Sequence, residues 1–96
     1  MENHVALTAC IGEAKPLRYT PAGLPALDLR LEHESQQQEA GTRREVRAAV
    51  KAVAFGALAE RLARQALGSR WKFQGFLASP RNGKGLVLHI QDIQQD

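Results

Sequence analysis

The chain has 96 residues, 44% of them apolar, and a formal charge of +3, which leaves room for one core and one domain, expected to span residues 1–96. A single cysteine, Cys10, excludes an intrachain disulfide and, with three scattered histidines, gives no zinc-type ligand spacing, so no metal or other cofactor is expected. There is no leader-like segment and no apolar run near the ~20 residues of a membrane span, so the protein is expected to be cytoplasmic, with no membrane among its partners.

Val5, Leu7 and Ala9 alternate with Ala6, Thr8 and Cys10, which predicts a first strand ending at Gly12. The PLRYTPAGLP segment that follows carries prolines and a glycine that cannot continue a ladder. Leu27, Leu29 and Leu31 then alternate with Asp28, Arg30 and Glu32, the cleanest period-two signal in the chain. Ser35 to Thr42 is polar with one glycine and reads as an exposed loop. A third strand begins near Arg43, with Val46, Ala48, Val50 and Ala52 on one face and Arg43, Glu45, Arg47 and Lys51 on the other.

From Gly56 the period changes to that of a helix through Leu58, Leu62 and Ala66, with Gly68 placed to end it in a left-handed cap. Trp71, Phe73 and Gly75 share one face of a fourth strand, opposite Lys72, Gln74 and Phe76. SPRNGKG is rich in turn formers and reads as a hairpin loop. Leu86, Leu88 and Ile90 alternate in a fifth strand. Three strands, a helix and two more strands is the element order of the OB barrel, although periodicity alone also allows another small antiparallel barrel.

Fifteen of the 42 apolar residues are alanines, which bury little surface, so the core is thin. Covering a sheet face or edge with a second copy stabilises such a chain, and a dimer is expected, with a marginally stable monomer as the other possibility. Trp71 and Phe73 are expected in core or dimer packing. Phe76 points the other way, as a stacking residue or a subunit contact, and Tyr19, beside Arg18 in the first loop where an aromatic could reach nucleic acid, is expected rather to pack over a barrel end.

Arg43, Arg47 and Lys51 project together at i, i+4 and i+8, with Arg44 at the loop junction, Arg18 before the YTPAG turn, and Arg81 and Lys84 in the hairpin. Such cations can hold the phosphates of a single strand; they can equally be solvated charges paired across strands with Glu32, Glu34 and Glu45. His33 and Glu34 face opposite sides of their strand, which argues against an acid-base pair, and PRNGKG lacks the strand-to-helix setting of a phosphate loop, so no enzyme is expected.

The segments PLRYTPAGLPALDLRLEHESQQQEAG and GSRWKFQGFLASPRNGKGLVLHIQDI make up more than half of the chain. In their order and spacing, and in the LEHES and GSRxxxQGF runs, they resemble the primosomal replication protein N (PriB) family, small relatives of the bacterial single-stranded-DNA-binding proteins. The resemblance implies an all-β fold: a single OB-fold, a five-stranded Greek-key barrel with one short helix between strands 3 and 4. It also implies a homodimer formed through sheet contacts that binds single-stranded DNA in replication restart, contacts a restart helicase (PriA-like) and a helicase-loading primosomal protein, and stimulates helicase activity and primosome assembly. On such a barrel the nucleic-acid-binding residues are expected to be Arg18, Arg43, Arg44, Arg47, Lys51, Arg81 and Lys84. Where the family carries aromatics in the loop after strand 2 and on strand 3, this chain has Thr42 and Arg47, so two base-stacking platforms, worth roughly 1–3 kcal/mol per base, are missing. The alternative reading is a protein-interaction OB module with weak or no nucleic-acid binding.

Overall fold

The computed structural model describes residues 1–96, in the order β1 (Val5–Ala14), β2 (Arg18–Tyr19), β3 (Pro25–Glu39), β4 (Thr42–Phe55), α1 (Ala57–Ala63), β5 (Arg70–Ala78) and β6 (Val87–Gln95). Neighbouring strands run β1-β5-β6-β4-β3-β2, and β1 returns to pair with β3, so five strands close into a barrel. Every pairing is antiparallel except β4 with β6, which are parallel at Ala52–Leu88 and Val53–His89. This is the OB architecture that the order of elements allowed and the family resemblance implied, with its one short helix between the third and fourth barrel strands.

Alternation fills the barrel. Leu27, Leu29 and Leu31 of β3 meet Ile11 of β1, Trp71 and Phe73 of β5 and Leu88, Ile90 and Ile93 of β6, all of them buried. Each large side chain buried this way contributes about 1.5–3 kcal/mol. Helix α1 closes one end through Ala59 and Leu62. Gly75 sits where β5 crosses β6 most tightly: a Cβ there would lie 1.8 Å from the carbonyl oxygen of His89. The ladder bulges between Gln74 and Gly75, so Gln91 has no partner and the inward phase of β6 passes from Ile90 to Ile93.

Several sequence expectations are corrected. β1 does not stop at Gly12 but bulges there and runs to Ala14. Arg18 and Tyr19 form a short strand against Pro25 and Ala26, between the prolines that were expected to forbid a ladder. The largest correction falls on Ser35 to Thr42, which is no loop. β3 continues to Glu39 and pairs with β4 in register from Ala26–Phe55 to Glu39–Thr42, leaving a two-residue turn of Ala40 (φ 51°) and Gly41 (φ 77°). Positive φ at both positions is the type I′ geometry that matches strand twist. The polar stretch is therefore half of an arm that projects from the barrel, and the molecule measures 50 × 30 × 21 Å.

The helix ends at Ala63, short of Ala66, and Gly68 (φ 85°) lies in the following turn rather than at the helix cap. Leu86 falls outside β6 and is exposed. Ala48 is exposed too, because by that point β4 has left the barrel wall.

Candidate nucleic-acid interface

On β4 the outward positions Arg43, Arg47, Lys51 and Phe55 recur at every fourth residue along one face. Phe55 ends the row and is 40% exposed. Across the sheet its ring lies 6.0 Å from the imidazole of His89 on β6, which stacks at 4.8 Å and 14° on Phe76 of β5. Cations thus give way to a three-ring aromatic row, and the hairpin loop bearing Arg81 and Lys84 joins the two strands that carry Phe76 and His89.

The seven sequence-derived residues do not form one cluster. Arg43, Arg47 and Lys51 share the outer face of β4. Arg44 points to the opposite face and pairs with Glu39 at 2.8 Å, so its expected place in the groove is corrected. Arg47 pairs with Glu34 directly across the ladder at 2.9 Å, and Arg18 pairs with Asp28 at 2.6 Å. Arg43, Lys51, Arg81 and Lys84 make no ion pair. Three of the seven are therefore neutralised across strands; of the expected partners Glu32, Glu34 and Glu45 only Glu34 takes part, with Arg47, while Arg18 and Arg44 pair with Asp28 and Glu39 instead. These pairs are exposed, 77% and 72% for Arg47 and Glu34, and exposed pairs are worth at most about 1 kcal/mol, so a phosphate can compete for the guanidinium.

The Arg18 guanidinium holds the Asp28 carboxyl below the usual carboxylate range, chiefly by hydrogen bonding, against the opposing effect of burial; the same bond raises Arg18. Neighbouring Arg30 bonds Glu32 at 3.1 Å and reaches Glu13 at 4.0 Å.

Phe55 and His89 were missed in the sequence. The alternation that places Arg43, Arg47 and Lys51 on one face, carried four residues further, reaches Phe55. His89 lies on the outward phase of the strand defined by Leu88 and Ile90. Trp71 is 8% exposed, donates from Nε1 to the Ser69 hydroxyl at 3.1 Å and is covered by the Arg61 guanidinium at 5.8 Å, so it packs the barrel end. Tyr19, expected over a barrel end, is 63% exposed instead.

A barrel with an outward row of cations and rings on its third and neighbouring strands is an OB module of the single-strand-binding type. A family model described as "Another single-strand binding protein family" matches residues 3–92. Over 94 residues the chain is 46% identical to the replication restart protein PriB of Bordetella pertussis, covering 97% of this chain and 88% of that one. Its fold superposes on the PriB structure from Ralstonia solanacearum with a TM-score of 0.90 at 37% identity, covering 99% and 98% of the two chains. The single-stranded DNA binding protein of Thermus aquaticus follows with a TM-score of 0.77 at 26% identity, over 97% of this chain and 49% of that one. The chain belongs to the replication restart PriB family, within the single-strand-binding proteins.

Proposed function

We propose that this chain is a non-enzymatic accessory of replication restart that holds single-stranded DNA along the outer face of β4 and presents it to a restart helicase in the cytoplasm, stimulating that helicase and the assembly of the primosome. The observation that carries the reading is the continuous row Arg43, Arg47, Lys51, Phe55, extended by His89 and Phe76 and flanked by the loop with Arg81 and Lys84. Phosphates meet the cations and bases meet the rings, which is how OB grooves bind single strands with little regard to sequence. The platform lost at Thr42 and Arg47 is in this reading supplied at the other end of β4.

The whole chain acts as one domain, and its assembly is a homodimer. Val5 to Ala9 of β1 pair with β5 on one side and with no strand on the other. Such an open edge suits a second β1, pairing over residues before Thr8, whose carbonyl is already bonded to His33. A second reading, a protein-contact module, is favoured by the arm itself: between residues 34 and 47 it carries Glu34, Glu39 and Glu45 against Arg43, Arg44 and Arg47, three charges of each sign.

Fluorescence anisotropy of labelled oligo-dT with the parent, Phe55→Ala and Lys51→Ala, repeated with the restart helicase present, separates the two. The groove reading expects each substitution to weaken oligonucleotide binding, Phe55→Ala by about 1–3 kcal/mol. Unchanged oligonucleotide affinity with impaired helicase binding would transfer the face to the second reading.

A further inference from the structure

β1 and β3 part where the leucine alternation ends. Cys10 opposite Glu32 is the last of their register pairs towards the arm, and from His33 onward β3 pairs with β4 alone. His33 follows Leu27, Leu29 and Leu31 on the barrel-facing side and occupies the position of a fourth core leucine. Its Nδ1 donates to the Thr8 carbonyl oxygen at 2.7 Å, and its Nε2 accepts from the Ser35 hydroxyl at 2.8 Å. The Gln37 amide in turn donates to Ser35 Oγ at 3.0 Å. A carbonyl can only accept, so Nδ1 carries a proton, and Ser35 Oγ, which accepts from Gln37, has its own hydrogen free to donate to Nε2.

Thr8 lies in the stretch of β1 that has no strand on its far side. A side chain of β3 thus bonds the β1 edge at the point where the two backbones have separated. Beyond it the arm and β1 bound an open cleft of about 540 Å³. His33, Ser35 and Gln37 face the inner side of the arm, while Glu34, Arg43 and Arg47 ride on the outer side, because successive residues of a strand point to opposite faces.

We infer that His33 is a positioning residue for the groove: its imidazole pins the root of the arm to β1 and thereby fixes where Arg43 and Arg47 stand relative to Lys51 and the aromatic row. The pin is a matter of the fold alone; its effect on binding rests on the nucleic-acid reading of the outer face. His33 itself touches no ligand. An arm freed at its root samples several directions, and only some of them align its cations with the rest of the face.

The test uses two substitutions. His33→Leu continues the leucine alternation but removes the donor, and His33→Asn keeps an N–H at the place of Nδ1. Spin labels on Thr42→Cys at the arm tip and Arg64→Cys on the barrel, in a Cys10→Ser background diluted with unlabelled protein, report the arm position by pulsed electron resonance. Labelled oligo-dT reports binding. The distance distribution is expected to broaden in His33→Leu, with affinity falling about fivefold to tenfold for the loss of one hydrogen bond's positioning, while His33→Asn keeps both near the parent values. An unchanged distribution in His33→Leu, or one equally broad in His33→Asn, overturns the pin. A broadened arm in His33→Leu with undiminished affinity overturns its role in binding. Should the parent itself fail to bind oligo-dT while the distances behave as expected, the groove reading falls and the pin stands.

Discussion

Arg47 shows how one side chain carries two competing roles. It stands on the proposed binding face, yet Glu34 across the ladder already neutralises it. Glu34→Gln releases it, and oligo-dT affinity is expected to rise by up to about 1 kcal/mol, the ceiling for an exposed pair. Weaker binding in Glu34→Gln would mean that the carboxylate orients the guanidinium rather than masking it. Arg47→Trp exchanges a shared cation for a stacking surface and is expected to tighten binding by about 1–3 kcal/mol, less the repulsion from the freed Glu34. Arg18 and Asp28 make a stability statement instead. Asp28 is depressed in the folded state, so its contribution is present above the unfolded value near 3.9 and is lost as pH falls through the folded one. Unfolding followed between pH 2 and 6 should therefore show a shallower acid limb in Asp28→Asn than in the parent, by well under 1 kcal/mol because both groups are substantially exposed.

At the level of elements, the β3–β4 hairpin holds its register through a turn that its sequence does not favour. Ala40 adopts φ 51°, a conformation that costs an L-residue with a Cβ about 1–2 kcal/mol and that asparagine tolerates better. Ala40→Asn creates the Asn-Gly pair preferred in type I′ turns and is expected to stabilise the arm by up to about 1 kcal/mol, read as slower amide exchange in residues 35–46 with little change in the barrel. The β5–β6 crossing has no such slack. Gly75→Ala sets a methyl group against the His89 carbonyl, and the backbone beneath the Phe76–His89 stack must move. A loss on the order of 3 kcal/mol is expected, a large fraction of the stability of a small domain, visible as a lowered melting temperature together with weakened oligo-dT binding.

For the whole molecule, charge and assembly decide the behaviour. Arg43, Lys51, Arg81 and Lys84 are the unpaired cations of the proposed groove, whereas Arg18, Arg44 and Arg47 arrive already neutralised. A cation that exchanges a carboxylate for a phosphate releases no net counterion, so the log–log salt slope for oligo-dT should be near −3 per protomer, from four phosphates at about −0.7 each. A slope near −5 would show that all seven act as free charges, and one near zero would remove electrostatics from the account. The open stretch of β1 predicts association of two 10.5 kDa chains in sedimentation at micromolar concentration. Ala6→Pro, placed on that edge, should weaken the dimer; an unaltered dimer would move the interface elsewhere.

The barrel was legible in the order of periods along the chain. Leu27, Leu29 and Leu31, the helical spacing of Leu58 and Leu62, and Leu88 with Ile90 each name a dry face, because burial on one side imposes a period that no other pressure imitates. The cation row of β4 was legible for the same reason. Ser35 to Glu39 was not: with polar residues on both faces there is no contrast for a period to reveal, and only the pairing with Thr42 to Val46 makes it a strand. Phe55, His89 and Phe76 lie far apart in sequence and meet because β4, β6 and β5 are neighbours in the sheet. The pairing of Arg47 with Glu34, and of His33 with Thr8, likewise depends on register between distant strands, which closure of the barrel sets and no local pattern encodes.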